Sequence, residues 1–138
     1  MIYLDTSVVV SAFLPDVHST RVLAWLGGLT EAPGLSHWTV TEFSSAAAGQ
    51  ERRRQITADQ RRVAEQGFDA WLLAIEQSPV LRVDFEFARR MVRRDQAKVC
   101  APDALHLAIA SRLGARVATL DLGMAEAARD AGLPLETI

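Results

Sequence analysis

The stretch from Cys100 to Asp121, CAPDALHLAIASRLGARVATLD, constrains the fold of this chain more than any other. Pro102 suits the first turn of a helix, because the N–H that proline lacks would have no partner there. Asp103 follows at a position where the helix dipole favours negative charge. The residues from Ala104 to Leu113 are apolar on nearly every side, which predicts a buried helix rather than an amphipathic one. Asp103 is therefore expected at the mouth of a core helix.

The second half of this stretch predicts a turn and a strand. Gly114 comes just after the last helical residue, where glycine commonly ends a helix. The run from Arg116 to Leu120 is short and bounded by that turn, which is typical of a buried parallel strand. Asp121 lies at the carboxyl end of this strand. We therefore expect Asp103 and Asp121 at the edge of one core.

The N-terminal part of the chain has the same arrangement. Met1 to Leu4 is a short strand-like run, and Asp5 directly follows it. Val8 to Phe13 then continues as an apolar helix, so Asp5 occupies a strand-to-helix junction like that of Asp121. Glu42 borders the apolar stripe of a further helix and is expected near the edge of the core.

The remaining segments also alternate between helix and strand patterns. Thr57 and Gln60 fit a capping box that begins a long helix, which we expect to end at Ser78 and Pro79. Asp84 is a candidate N-cap for the helix after it. Three further strands are expected, at Leu35–Trp38, Val80–Val83 and, as a closing edge strand, Leu135–Ile138.

Strands that alternate with helices in a chain of 138 residues predict one α/β domain spanning residues 1–138. The expected architecture is a small parallel sheet of about four to five strands with helices on both faces. Functional sites in such sheets form beyond the carboxyl ends of the strands. Convergence of Asp5, Glu42, Asp103 and Asp121 at that edge is therefore physically reasonable, although spacing alone does not establish it.

A cluster of these acids would require a cation. Two carboxylates about 4 Å apart repel by roughly 4 kcal/mol at an effective dielectric constant near 20, so a larger cluster needs protonation or a bridging metal. Ligands that offer only oxygen suit Mg²⁺ or Mn²⁺ rather than zinc. Such a site could hydrolyse a phosphodiester, because the metal activates a water molecule and neutralises charge on the phosphoryl oxygens.

The composition excludes several classes of protein. A formal net charge of −2 argues against a general nucleic-acid coating protein. The single cysteine, Cys100, excludes an intrachain disulfide and a cysteine zinc cluster. We find neither a signal peptide nor an apolar run near the roughly 18 residues of a membrane span. We therefore expect a cytoplasmic protein with no membrane partner.

Arginines form a local basic pattern within this weakly acidic chain. Arg89, Arg90, Arg93 and Arg94 come in two pairs one helical turn apart, which predicts a continuous basic face on the helix that follows Asp84. Such rows are usually solvated helix faces, but this one would also suit RNA phosphates.

Four segments resemble the acidic motifs of the PIN-domain ribonucleases in order and spacing: MIYLDTSVVV with Asp5, TVTEFSSA with Glu42, APDALHLAIA with Asp103, and VATLD with Asp121. The resemblance covers essentially the whole chain, and the length of the chain matches that of the VapC-type toxins of type II toxin–antitoxin systems. One departure is Met124, where many relatives have an aromatic residue three places after the last acid.

The resemblance implies a fold, an activity and partners. The fold would be the PIN-like three-layer arrangement, and the four acids would gather around Mg²⁺ or Mn²⁺ and cleave RNA. Ser7 would support the site through a hydroxyl contact. The resemblance also implies a homodimer and a cognate antitoxin protein.

Simpler interpretations exist for each residue. Asp5, Asp121 and Ser7 could be helix caps, and Asp103 a first-turn acid favoured by the helix dipole. His106 could face the site, but we favour a core histidine with satisfied hydrogen bonds, because no second histidine lies at ligand spacing. Cys100 is expected to be a small buried packing residue.

Three other functions are alternatives to a ribonuclease. A catalytically silent PIN-fold regulatory or scaffold protein that binds RNA or a partner is the main alternative. A receiver-like signalling module needs adjacent acids after the first strand, whereas Asp5 is followed by Thr6 and Ser7. A phosphatase of the paired-aspartate type fails for the same reason, because Ser7 stands where the second aspartate is required.

Overall fold

The computed structural model describes residues 1–94 and 99–138. Four strands occur in this part of the chain: β1 (Ile2–Leu4), β2 (Pro33–Ser36), β3 (Glu76–Ser78) and β4 (Arg116–Ala118). The helices in the same residues are α1 (Thr6–Phe13), α2 (Ser19–Gly28), α3 (His37–Arg52), α4 (Ala58–Leu72), α5 (Arg82–Val92), α6 (Ala101–Leu113) and α7 (Leu122–Asp130). The strands form one parallel sheet in the order β3-β2-β1-β4.

The core lies on both faces of this sheet. Alternate residues of a strand point to opposite faces, and β1 divides the core in this way. Tyr3 packs in a cluster with α5, α6 and α7, whereas Ile2 and Leu4 pack in a second cluster with α1 to α4. All three side chains are at most 1% exposed. The prediction of an α/β fold with a small parallel sheet covered on both faces is therefore confirmed.

Several predicted boundaries are confirmed by the backbone. Thr57 and Gln60 form the expected capping box, in which the Gln60 N–H donates to Thr57 Oγ1 and the Thr57 N–H donates to Gln60 Oε1. Gly114 has the left-handed conformation, with φ 60° and ψ 30°, and ends α6. A residue with a Cβ is strained there, which explains why glycine is at this position.

The predicted strand Val80–Val83 is wrong. Its last two residues, Arg82 and Val83, begin α5, and the strand lies earlier, at Glu76–Ser78. The preceding helix accordingly ends at Leu72 rather than at Ser78, and the Gln77 side-chain amide donates to the Leu72 carbonyl. Edge strand β3 pairs with β2 on one side only and exposes its first two residues, so it lacks the apolar pattern from which strands are recognised.

The boundary between the second strand and third helix is also displaced. The strand predicted at Leu35–Trp38 runs from Pro33 to Ser36, and His37 begins α3. Ser36 ends the strand because its hydroxyl accepts the Thr39 N–H and caps the helix. The apolar run thus spans a strand end and a helix start.

Asp84 is not the N-cap of α5 but lies inside its first turn. Leu81 is the N-cap residue, and its backbone N–H donates to Asp84 Oδ2 at 2.8 Å. Arg112 of α6 donates to both Asp84 oxygens, at 2.7 and 3.0 Å. Asp84 therefore joins α5 to α6, and it is 1% exposed.

The predicted closing strand Leu135–Ile138 is reduced to one bridge. Leu135 pairs with Val117 in parallel, and the Glu136 N–H donates to the Val117 carbonyl. This short pairing covers the β4 edge of the sheet. Within the described residues, no helix combines the length and the hydropathy that crossing a membrane requires.

A candidate active site lined by four acids

The four acids singled out in the sequence line one pocket of about 330 Å³. They come from four separate parts of the chain. The complete lining is Asp5, Thr6, Ser7, Glu42, Ser45, Ala46, Asp103, His106 and Asp121. Eight of these nine residues have polar side chains, and four of them are acids.

Parallel pairing of β1 with β4 brings Asp5 and Asp121 to the same edge. Asp5 directly follows β1, and its N–H donates to the Ala118 carbonyl at the end of β4. Asp121 follows β4 after two connecting residues and is the N-cap of α7. The carboxyl ends of neighbouring parallel strands meet at one edge, as expected for a site in an α/β sheet.

Helices supply the other two acids. Glu42 lies in the second turn of α3, which begins where β2 ends. Asp103 lies in the first turn of α6, just after Pro102, where the helix dipole favours its charge. Asp103 is half-buried, and the Cys100 thiol donates to its Oδ2 at 2.9 Å.

Asp5 is the most deeply buried of the four, at 3% exposure. Its Oδ1 accepts the Ser7 hydroxyl at 2.6 Å and the Val8 N–H at 3.2 Å, and its Oδ2 accepts the Thr119 hydroxyl at 2.7 Å. Burial raises the pKa of the Asp5 carboxyl, because water no longer stabilises its charge, and this effect exceeds the lowering by those hydrogen bonds. A nearby cation would reverse that penalty.

Glu42 receives two side-chain hydrogen bonds on the same oxygen. Thr6 Oγ1 donates to Glu42 Oε2 at 2.5 Å, and His106 Nε2 lies 2.6 Å from that oxygen. Burial alone would raise the pKa of the Glu42 carboxyl, but the bonds from His106 and Thr6 outweigh it, and the pKa is lowered. The structure therefore favours the charged carboxylate at this position.

His106 is held from its other side by Tyr3. The ring is 2% exposed, and Nδ1 lies 2.8 Å from the Tyr3 hydroxyl. That hydroxyl is also 2.8 Å from Ser36 Oγ, and both Tyr3 and Ser36 are 0% exposed. His106 is thus a core histidine with satisfied hydrogen bonds, as we favoured, but one of its partners is an acid of the pocket.

Asp5 and Asp121 both cap a helix and line the pocket. Asp5 accepts the Val8 N–H and Asp121 Oδ1 accepts the Met124 N–H at 2.8 Å, so both acids cap helices while lining the pocket. Ser7 donates to Asp5 and accepts the Leu120 N–H at 2.9 Å, which ties the two acid-bearing loops together. Met124, the departure from the motif, is a core residue at 1% exposure.

Sequence reasoning missed two hydroxyls that hold the acids. Thr6 bonds Glu42, and Thr119 bonds Asp5 while accepting the Asp121 N–H. Each lies within two residues of a singled-out acid, and that proximity was the available signal. Their partners come from distant parts of the chain, so the roles follow only from the fold.

The arginines lie elsewhere among the described residues. All four are exposed, and none lines the acidic pocket. The predicted continuous helical face is wrong, because α5 ends at Val92 and only Arg89 and Arg90 are helical. Arg90 lies over the Phe87 ring at 5.4 Å, and Arg89 borders a separate apolar groove.

Cys100 is exposed, contrary to the expected buried packing role. It is the N-cap of α6, outside the helical core, and its thiol contacts Asp103 instead of apolar side chains. The exposed Ala101 and Pro102 after it show that burial begins only beyond the first turn of the helix.

The chemistry of the pocket fits a divalent cation that prefers oxygen. The four carboxylates and three neighbouring hydroxyls are hard oxygen ligands, and the one histidine already uses Nε2 toward Glu42. As their side chains are positioned, however, no three His, Cys, Asp or Glu residues in 1–94 and 99–138 lie close enough to hold one metal ion.

Comparison with known proteins identifies the family. The solved structure of FitAcB from Neisseria gonorrhoeae is similar over 99% of this chain and 97% of that chain, with a TM-score of 0.76 and 24% identity. VapC20 from Mycobacterium tuberculosis, a sarcin-ricin loop cleaving toxin, has a TM-score of 0.74 and 17% identity over 92% of this chain and 95% of its own. VapBC2 from Rickettsia felis, bound to a promoter DNA fragment, has a TM-score of 0.68 and 19% identity over 99% and 98%.

At these identities the structural likeness shows a shared fold. No curated protein sequence matches the chain. The model of the PIN domain family, by contrast, matches residues 2–130, nearly the whole length. The chain therefore belongs to the PIN domain family.

Proposed function

We propose that residues 1–138 form a single PIN domain that acts as a metal-dependent endoribonuclease and as the toxin of a toxin–antitoxin pair. The observation that carries this proposal is the shared pocket of Asp5, Glu42, Asp103 and Asp121. These acids are far apart in the sequence, and helix capping would account for Asp5 and Asp121 without bringing Glu42 and Asp103 to the same cleft.

The four acids would hold Mg²⁺ or Mn²⁺, because both cations prefer oxygen ligands. A bound divalent cation supplies the charge that activates water and stabilises the phosphoryl oxygens during hydrolysis. Asp5, held by Ser7 and Thr119, would be the most rigid ligand. Glu42 would be kept ionised by Thr6 and His106.

The family and its structural relatives support the nuclease activity and the toxin role in this proposal. PIN domains are generally nucleases, and VapC20 is described as a toxin that cleaves the sarcin-ricin loop. A toxin–antitoxin complex from Klebsiella pneumoniae shares the fold, with a TM-score of 0.62. We infer an RNA substrate, a cognate antitoxin, a homodimer and a cytoplasmic location. Arg89, Arg90, Arg93 and Arg94 are proposed RNA contacts, because they are exposed and adjacent.

The test is cleavage of total cellular RNA by purified protein. Wild type is compared with Asp5→Asn and Asp103→Asn, in Mg²⁺, in Mn²⁺ and in EDTA. Asp69→Asn, an exposed aspartate of α4 outside the pocket, is the matched control. We expect cleavage at discrete sites by wild type and Asp69→Asn, and its loss with EDTA or with either pocket variant.

Two results would contradict the proposal. Cleavage that survives both pocket substitutions would indicate contamination or a different chemistry. No cleavage by wild type, freed of any antitoxin and with bound metal demonstrated, would favour the silent regulatory or scaffold protein.

A further inference from the structure

We propose that His106 is a positioning residue that fixes the Glu42 carboxylate for binding a divalent cation, with Tyr3 holding the ring from its opposite nitrogen. This inference rests on the proposed function, because it assigns Glu42 to a metal site. It goes beyond that function by giving a role to a buried histidine that is not one of the four acids.

The contact between His106 and Glu42 joins two helices that pack in different core clusters. Glu42 is on α3 and His106 is on α6, and their side chains are 23% and 3% exposed. An ionised carboxylate only accepts hydrogen bonds, so at 2.6 Å the proton must be on His106 Nε2. Thr6 Oγ1 lies farther from Nε2, at 3.2 Å, so a His106 N–H that lost Glu42 would lose its shorter hydrogen bond, which makes the orientation costly to change.

Tyr3 completes the arrangement from the opposite side of the ring. The Tyr3 hydroxyl lies 2.8 Å from His106 Nδ1, the ring nitrogen that does not contact Glu42. Ser36 Oγ, which accepts the Thr39 N–H, can donate to the Tyr3 oxygen at 2.8 Å. The contacts therefore form one continuous chain, from Ser36 through Tyr3 and His106 to Glu42.

The two donors bond only one of the two Glu42 oxygens. The bonds from Thr6 and His106 both go to Glu42 Oε2, so Oε1 is the oxygen that these two donors leave to a ligand. Two donors on one oxygen restrict rotation of the carboxylate about its last bond. Residues that orient a metal ligand in this way typically change metal affinity by about 10-fold to 100-fold when removed.

Manganese binding by the full chain tests the role. Titration calorimetry compares wild type with His106→Leu, which removes both ring nitrogens, and His106→Gln, whose amide nitrogen can donate from near the Nε2 position. We expect Mn²⁺ affinity to fall roughly 10-fold to 100-fold in His106→Leu and to be largely restored in His106→Gln. Leu107→Ala, a fully buried neighbour on α6, controls for general loosening and should keep wild-type affinity.

A second measurement needs no metal. A long-range proton–nitrogen correlation spectrum reports which ring nitrogen of each histidine is protonated, and the His106→Gln spectrum assigns the His106 signals. We expect His106 of wild type to be protonated at Nε2.

The outcomes separate the inference from the proposed function. If wild type binds Mn²⁺ and Asp103→Asn does not, but His106→Leu binds as tightly as wild type, the role of His106 is overturned while the metal site stands. An unprotonated Nε2 in wild type overturns the inference even if His106→Leu does not fold. If wild type binds no Mn²⁺, or Asp103→Asn binds it equally, the proposed metal site itself fails and the role of His106 fails with it.

Discussion

Arg112→Ala is expected to be one of the most destabilising substitutions outside the acidic pocket. Arg112 makes two hydrogen bonds to Asp84, at 2.7 and 3.0 Å, and a third to the Pro79 carbonyl at 2.8 Å. Asp84 is 1% exposed, whereas the Arg112 side chain is 24% exposed. The substitution therefore leaves a buried carboxylate without its cation.

The expected loss is about 3 kcal/mol of unfolding free energy. Removal of one partner from a buried ion pair typically costs about 3–5 kcal/mol. The lower end applies because Asp84 retains the hydrogen bond from the Leu81 N–H and because Arg112 is partly solvated. For a domain of this size, that loss lowers the melting temperature by roughly 10 °C.

Urea unfolding followed by tryptophan fluorescence measures this loss. Arg82→Ala is the matched control, because Arg82 pairs with Glu86 on the surface of α5, with side chains 91% and 50% exposed. We expect that control to change stability by less than about 0.5 kcal/mol. Arg112→Lys keeps the charge but not the paired geometry, so its loss should be intermediate.

The reasoning would be refuted if Arg112→Ala lost no more stability than Arg82→Ala. It would also be refuted if Arg112→Lys matched wild type, because a simple point charge would then suffice. RNA cleavage below the unfolding transition should persist in Arg112→Ala, since none of its contacts lies in the acidic pocket.

Three further predictions follow from single features. Burial raises the folded pKa of Asp5 above its unfolded value, so Asp5 contributes stability below the unfolded pKa and that stability is lost as pH rises through the folded pKa. Without metal, Asp5→Asn should therefore gain stability relative to wild type as pH rises over this range. A pH-independent difference between the two in urea unfolding would contradict this. Gly114→Ala should lose about 1 kcal/mol in the same assay because of its positive φ, and an unchanged midpoint would contradict this. Arg93→Glu/Arg94→Glu should weaken RNA binding and reduce its salt dependence without unfolding the chain, whereas the control Arg129→Glu on α7 should leave RNA binding unchanged. Unchanged binding by the double variant would exclude these arginines as phosphate contacts.

Much of the fold could be predicted because its central elements carry strong local patterns. The buried helix before Gly114 and the capping box at Thr57 are confirmed by the structure. The strand predicted at Val80–Val83 is wrong because β3 is an exposed edge strand whose pairing with β2 leaves no hydrophobic signature. Local periodicity reports burial, and an edge strand is formed by backbone hydrogen bonds more than by burial.

The candidate site was predictable in its acids but not in their supports. Asp5 and Asp121 could be placed at strand ends from the sequence, and the structure brings both to one pocket with Glu42 and Asp103. The bonds of Thr119 to Asp5 and of His106 to Glu42 join residues far apart in the chain. No local pattern encodes such pairs, so they could not be inferred before the fold was known.

By itself, the sequence determined the α/β class, the family and the acids that carry its motifs, because these depend on composition, periodicity and short motifs along the chain. The tertiary structure decided which oxygens are bonded, which acid is most deeply buried and how Tyr3, His106 and Glu42 are connected. Those properties arise from the parallel pairing of β1 with β2 and β4, which brings the ends of separate segments into contact. Hydrogen bonds and desolvation act over a few ångströms in space, whatever the separation along the chain.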